Sequence, residues 1–187
     1  MQYILTIDSG NTNIKWGIFE CGILVKNNRI HLQQANLLQA KFGDLPKPDF
    51  VIISHVASDQ VKDAIVKSLS IWDVEVFWLH SSKKLCGVKN GYVNSQQLGS
   101  DRWASLIAAW HKIKQSCLII NAGTAVTVDA LSDSGEHLGG IILPGIHLMH
   151  SSLTQNTQLP HNAIAGEFKS EFPLNTFDAI KTGIFFA

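Results

Sequence analysis

The chain has 187 residues, 45% of them hydrophobic, and its 15 acidic and 15 basic side chains cancel. That length allows one large domain or two small lobes at ~100–200 residues per domain, and the balanced charge gives no net field to gather nucleic acid or an anionic membrane. Three cysteines, Cys21, Cys86 and Cys117, form no CxxC pair, so neither a zinc site nor a disulfide framework is indicated.

The first residues lack the basic stretch and apolar core of a signal peptide. No apolar run reaches the ~18 residues of a membrane span, so a cytoplasmic protein is expected. Residues 3–8 predict a buried strand ending on the carboxylate of Asp8, and Ser9 to Thr12 a turn. Strands over 14–19 and 22–30 complete an antiparallel meander. A short helix is predicted over 32–41, a central strand over 50–54, and a helix over 59–70 with Val61, Ile65, Val66 and Leu69 on one face. A strand follows over 74–79. Three antiparallel strands followed by helix-crossed strands is the layout of a ribonuclease-H-like lobe.

Residues 80–98 are polar and glycine-containing and predict a loop. Ser100 is placed to cap the next helix, with Asp101 in its first turn. Trp103, Leu106, Ile107, Trp110 and Ile113 then recur at helical spacing, which marks the two tryptophans as core. Strands are predicted over 117–120, 126–131 and 138–143, with a turn at 121–124 and a helix over 146–154. His147 and His150 lie three apart on that helix but have no evident third ligand, so a surface pair is expected rather than a metal site. Residues 155–173, with Pro160 and Pro173, predict a loop or flap. A helix over 176–187, with Phe177, Ile180, Ile184 and Phe185 on one stripe, stops without a cap or turn signal, as an interrupted element does.

One unit repeats. Residues 4–12 and 117–125 are each an apolar strand, a side-chain oxygen, a small residue, a glycine, and a hydroxyl or amide. Such turns expose successive backbone N–H groups, and Gly10 and Gly123 let a phosphate approach closely. Asn11, Thr12 and Thr124 add donors, Lys15 can neutralise a phosphate, and Asp8 can hold Mg²⁺ directly or through water. There is no GxxxxGK[ST] or GxGxxG segment. The expected fold is therefore α/β, with two ribonuclease-H-like (actin-like) lobes, 1–115 and 116–187. A nucleotide cleft is expected between them, and the second lobe is expected to be incomplete.

Four segments carry a closer resemblance: Asp8-Ser9-Gly10-Asn11-Thr12-Asn13-Ile14-Lys15; Gly91-Tyr92 with Gln97-Leu98-Gly99-Ser100-Asp101-Arg102-Trp103; Asn121-Ala122-Gly123-Thr124-Ala125 with Thr127 and Asp129; and Gly139 to Gly145. Asn175-Thr176, with Ala179-Ile180 and Gly183, matches more loosely. In these the chain resembles the type III pantothenate kinases of the actin-like superfamily. The resemblance implies ATP, Mg²⁺ and potassium or ammonium as cofactors, pantothenate as substrate, and a homodimer with a shared active site. It implies that Asp8 to Lys15 and Thr124 hold ATP, and that Tyr92, Gly99, Ser100, Asp101 and Arg102 line the pantothenate pocket. Asp101 is the implied general base, Arg102 the implied grip on the carboxylate or amide region, and Thr176 the implied contact to substrate in the partner subunit.

One position departs from the family pattern. Where these kinases carry an aspartate that holds the monovalent cation, this chain has Asn121, which offers a carbonyl oxygen without charge. Asp129 is a candidate for the missing charge. The same family includes Bvg accessory factors, regarded as transcriptional regulators, so a regulatory protein with weak or no turnover is the alternative. Retention of Asp101 and Arg102 favours the enzyme.

Overall fold

The computed structural model describes residues 2–157 and 166–187. By internal contacts it separates into two units, Met1–Ile119 with Asp129–Gly139, and Ile120–Val128 with Gly140–Ala187. Residues 129–139 thus count with the first unit and residues 120–128 with the second.

In the first unit, β1 (Tyr3–Ser9), β2 (Asn13–Glu20) and β3 (Ile23–His31) form the meander, and β4 (Phe50–His55) and β5 (Glu75–Trp78) add to its other side. The strand order is β3-β2-β1-β4-β5. β1 runs antiparallel to β2 and parallel to β4, and β4 runs parallel to β5. This is the ribonuclease-H-like sheet that the meander and the apolar 50–54 run predict. On β1 the odd positions Leu5, Ile7 and Ser9 are buried, and the even positions alternate to the other face.

Between β3 and β4 the chain first winds as a 3-10 turn over Leu32–Leu37 and only then as α1 (Leu38–Gly43). The helix predicted over 32–41 is thus split. α2 (Asp59–Leu69) buries Val61, Ile65 and Leu69, four residues apart, whereas Val66 is 52% exposed and lies off that stripe. Phe42 of α1 is fully buried, edge-on to Trp16 at 5.7 Å and stacked on Trp72 at 5.9 Å.

The predicted loop over 80–98 carries a small hairpin, β6 (Lys84–Leu85) and β7 (Val88–Lys89), and a 3-10 turn at Ser95–Gln97. Strands of two residues leave no periodicity for sequence to reveal. α3 (Ser100–Ile113) packs Trp103 and Leu106 with Val88, Leu98 and Leu131 in a second core, against which Trp110 is partly buried. β8 (Cys117–Ala122), β9 (Ala125–Leu131) and β10 (His137–Pro144) form a three-stranded sheet in the order β10-β9-β8.

In the second unit, α4 (Ile146–Asn156) contacts α5 (Thr176–Phe186). Asn175 caps α5, its side chain accepting from Asp178 N at 2.9 Å. Ile180 and Thr182 are buried, while Phe185, expected on the apolar stripe, is 65% exposed and packs on Phe168. His150 is buried and His147 exposed, so they are not the expected surface pair. Part of the expected 155–173 flap, residues 158–165 with Pro160, lies outside the described residues.

Replacing Phe42 with Ala removes the ring between Trp16 and Trp72. It is expected to cost about 3–5 kcal/mol in urea unfolding. A loss under about 1 kcal/mol would show that the site collapses and that this aromatic contact is dispensable.

Candidate active site

Asp8 stands opposite Lys15 across the β1–β2 ladder, with Nζ 3.6 Å from Oδ2. Both side chains are about half exposed, so the pair orients the carboxylate more than it stabilises the fold. Desolvation is the largest effect on Asp8 and raises its pKa; the nearby Asp101 charge adds to the rise and Lys15 opposes it. A carboxylate held partly out of water beside a second carboxylate gains by meeting a cation.

The turn after β1 closes through Gly10 N, which donates to Asn13 O at 3.1 Å. A Cβ built on Gly10 meets Asn13 O at 3.7 Å, an ordinary contact. The turn's own fold therefore does not demand glycine here. Ser9 is fully buried, and its hydroxyl shares a 3.0 Å hydrogen bond with His55 Nδ1. Desolvation, then the Lys62 charge, lowers the His55 pKa. Asn11 is exposed, Thr12 and Asn13 are partly buried, and Ile14 lies in the core.

Helix α3 begins where the chain passes the end of β4. The expected Ser100 cap does not form: Gly99 is the N-cap, with extended backbone, and its carbonyl accepts from Trp103 N at 3.0 Å. The Ser100 hydroxyl turns away from the helix. It accepts from His55 N at 3.1 Å, donates to His55 O at 3.3 Å, and shares a hydrogen bond with Ser54 Oγ at 3.0 Å. Buried and so engaged, it is a rivet between β4 and α3. Asp101 follows in the first turn, where the helix dipole favours a carboxylate. A Cβ on Gly99 would sit 2.5 Å from Asp101 Oδ1, so the bare Cα leaves that carboxylate its place.

Arg102 points inward. Its Nε donates to Asp129 Oδ2 at 2.9 Å and its Nη2 to Asp129 Oδ1 at 2.5 Å, a two-pronged pair with side-chain exposures of 6% and 0%. His137 Nε2 reaches the same Oδ1 at 2.9 Å. Burial pushes the Asp129 pKa up, but the hydrogen bonds from His137 and Arg102 outweigh it and hold the carboxyl below its ordinary value. The hydrogen bond to Asp129 raises Arg102 in turn. The remaining Nη1 donates to Tyr92 Oη at 3.0 Å. Three of the five guanidinium N–H groups are thus engaged within the fold. Both oxygens of Asp129 are likewise engaged.

In the second unit, the repeated turn also closes through its glycine N–H but one residue tighter, Gly123 N donating to Ala125 O at 3.0 Å, and a Cβ there has the same 3.7 Å clearance. Gly145 N donates to Thr124 O at 2.9 Å, so the turn rests on the end of β10. Asn121 Nδ2 donates to Thr127 Oγ1 at 3.4 Å. Thr176 is exposed at the first turn of α5.

A family model described as type III pantothenate kinase matches residues 4–187. A protein of that name from Nitrosospira multiformis is 41% identical over 186 residues, covering 96% of this chain and 68% of its own length. One from Aromatoleum aromaticum is 42% identical over 186 residues, covering 96% and 74%. The chain belongs to the type III pantothenate kinase family. Among solved structures, a Campylobacter jejuni protein assigned to the Baf family of transcriptional activators superposes with a TM-score of 0.60 at 25% identity, over 97% of this chain and 73% of its own. A Sinorhizobium meliloti protein assigned as a 2-dehydro-3-deoxygalactonokinase gives 0.51 at 13% identity, over 89% and 61%, which shows a shared fold.

Within this type III pantothenate kinase family member, Asp8, Ser9, Gly99, Ser100, Asp101, Arg102 and Tyr92 all fall in the first unit, and Asn121, Thr124 and Thr176 in the second. Sequence reasoning missed His55 on the Ser9 hydroxyl and His137 on Asp129. Neither histidine carries a spacing signal, since His55 ends β4 and His137 begins β10 with no repeat around them.

Removal of the Ser100 hydroxyl in Ser100→Ala leaves Ser54 and His55 N without that partner. The expected cost is about 1–3 kcal/mol, a fall of roughly 2–4 °C in Tm per kcal/mol. Ser54→Ala combined with Ser100→Ala should cost less than the sum of the singles; strict additivity in thermal unfolding would mean that the two hydroxyls act separately.

Proposed function

We propose that the chain transfers the γ-phosphoryl group of ATP to pantothenate, giving 4′-phosphopantothenate and ADP in coenzyme A biosynthesis. The observation that carries this is Asp101, held at the first turn of α3 within electrostatic reach of Asp8, in a chain of this family. Phosphoryl transfer asks mainly for positioning and charge neutralisation. In this reading Asp101 accepts the proton of the pantothenate hydroxyl as that oxygen bonds to the γ-phosphorus. The bond to the β–γ bridging oxygen breaks, and ADP departs.

Residues 8–15 and Thr124 bind ATP in this proposal. Its support is that Gly10 and Gly123 have room for a Cβ, so a ligand accounts for glycine where the backbone does not. Mg²⁺, when bound with the nucleotide, neutralises phosphate charge, and Asp8 is the residue assigned to it. No group of three or more His, Cys, Asp or Glu set to hold a metal occurs among the described residues, which agrees with an ion carried mostly by phosphates and water. Asn121 is assigned to potassium or ammonium, bound weakly for lack of charge.

Tyr92, Gly99, Ser100, Asp101 and Arg102 surround the acceptor in this reading, with Arg102 and Ser100 acting through the fold. Thr176 is assigned to substrate held by the partner in a homodimer with a shared site. Residues 1–115 and 116–187 are the proposed lobes and the cytoplasm the proposed location; no helix among the described residues is long and apolar enough to cross a membrane. The regulatory alternative is favoured by the likeness to the Campylobacter jejuni protein and by Asn121.

With pantothenate and Mg-ATP, turnover is expected to rise with added potassium or ammonium. Asp101→Asn is expected to lower kcat about 10²–10⁴-fold with the fold intact. Gly10→Ala and Gly123→Ala should raise the KM for ATP while leaving the thermal midpoint unchanged. Absence of turnover at every cation level, persisting in Asn121→Asp, would sink the kinase reading and turn attention to regulation.

A further inference from the structure

Asp129, on β9, has no exposed surface, yet both of its oxygens are occupied. Because an ionised carboxylate only accepts, His137 donates to it through Nε2. That leaves His137 Nδ1 buried without a partner among the described residues. A histidine kept at this cost has some other use, and its ring supplies one. It stacks under Tyr92, with centroids 5.5 Å apart and planes 25° from parallel.

Tyr92 is held on three further sides. The Arg102 guanidinium carbon lies 5.6 Å from the ring centroid, and Nη1 donates to the Tyr92 oxygen. Tyr92 N donates to Asn90 Oδ1 at 3.0 Å. The preceding Gly91 runs so close to β10 that a Cβ on it would fall 1.9 Å from His137 O. Of these four side chains (Arg102, Asp129, His137, Tyr92), only that of Tyr92 is more than marginally exposed. Its oxygen accepts from a guanidinium, so its proton remains available, and a hydroxyl that accepts from a cation becomes a stronger donor.

We infer that Asp129 and His137 are positioning residues for the acceptor substrate: Asp129 fixes the Arg102 fork, Arg102 and the His137 ring fix Tyr92, and the Tyr92 hydroxyl donates to a carbonyl or carboxylate oxygen of the acceptor. The inference rests on the pantothenate kinase reading, in which Tyr92 already lines the acceptor pocket, and adds Asp129 and His137 behind it. The Asp129 pair uses two of the five N–H donors of Arg102, and the Tyr92 oxygen takes a third.

Steady-state kinetics on the full chain, with pantothenate and ATP varied separately, test this. Tyr92→Phe and Asp129→Asn are each expected to raise the pantothenate KM about tenfold or more, with the ATP KM within about twofold, as the loss of one hydrogen bond to a charged or polar oxygen predicts. The double variant should be no worse than the worse single. Should Asp129→Asn fail to fold, His137→Gln keeps a donor for Asp129 but removes the ring, and is expected to raise the pantothenate KM severalfold at unchanged ATP KM. Effects that multiply in the double variant, equal rises in both KM values, or a changed thermal midpoint with an unchanged pantothenate KM overturn the inference. An inactive wild type fails the kinase reading instead, and the two failures are told apart by that one control.

Discussion

The parallel pairing of β1 with β4 is the constraint on which the first unit's chemistry depends. It sets Asp8 beside Ser54 and Ser9 beside His55. A parallel neighbour brings its carboxyl end to the same edge, so the chain leaving β4 passes the turn that follows β1. The Ser9 hydroxyl meets the His55 ring, and the Ser54 hydroxyl and His55 backbone meet Ser100. Through those contacts the start of α3, with Asp101, is fixed against the first turn. In open α/β sheets ligands gather at the carboxyl ends of strands for this reason, and Asp8, Ser9 and Asp101 collect there.

Much of this was legible in the residues. Runs such as 3–8 and 50–54 alternate or persist long enough to declare strands, and Trp103 with Leu106 declares the buried face of α3. What could not be read is which way a polar side chain turns at an element's first residue. Ser100 has the composition of a cap, yet its hydroxyl finds stronger company in β4, because His55 offers both a donor and an acceptor there. Val66 looks apolar enough for the helix stripe, but its angular position leaves it in water. The partner of Arg102 was hidden for the same reason, since Asp129 follows it by 27 residues and meets it only inside the fold.

The two glycine turns show the converse case, where the repeated sequence pattern corresponds to turns in the structure. Each closes on its own glycine N–H, and each leaves the space of a side chain unfilled. Sequence duplication pointed to them, and geometry adds that neither glycine answers to backbone crowding. Gly91 differs, since the His137 carbonyl stands where its side chain would be. Identical residues therefore differ in setting: Gly10 and Gly123 have space beside them, and Gly91 is pressed against the protein's own backbone.

The first unit is discontinuous, and that bears on how it is made. Residues 129–139 belong to it, although residues 120–128 intervene in the second. Arg102 on α3 precedes Asp129 by 27 residues, so at ~5–20 residues per second it leaves the ribosome about one to several seconds before its counterion does. During that interval burying the guanidinium carries an uncompensated desolvation cost, so α3 cannot settle on its final core. The meander, α1, α2 and β4 need no such partner and can consolidate earlier, while closure around α3 waits for β9 and β10. The ion pair thus acts as a checkpoint in the order of assembly, tying completion of the first unit to the emergence of the second.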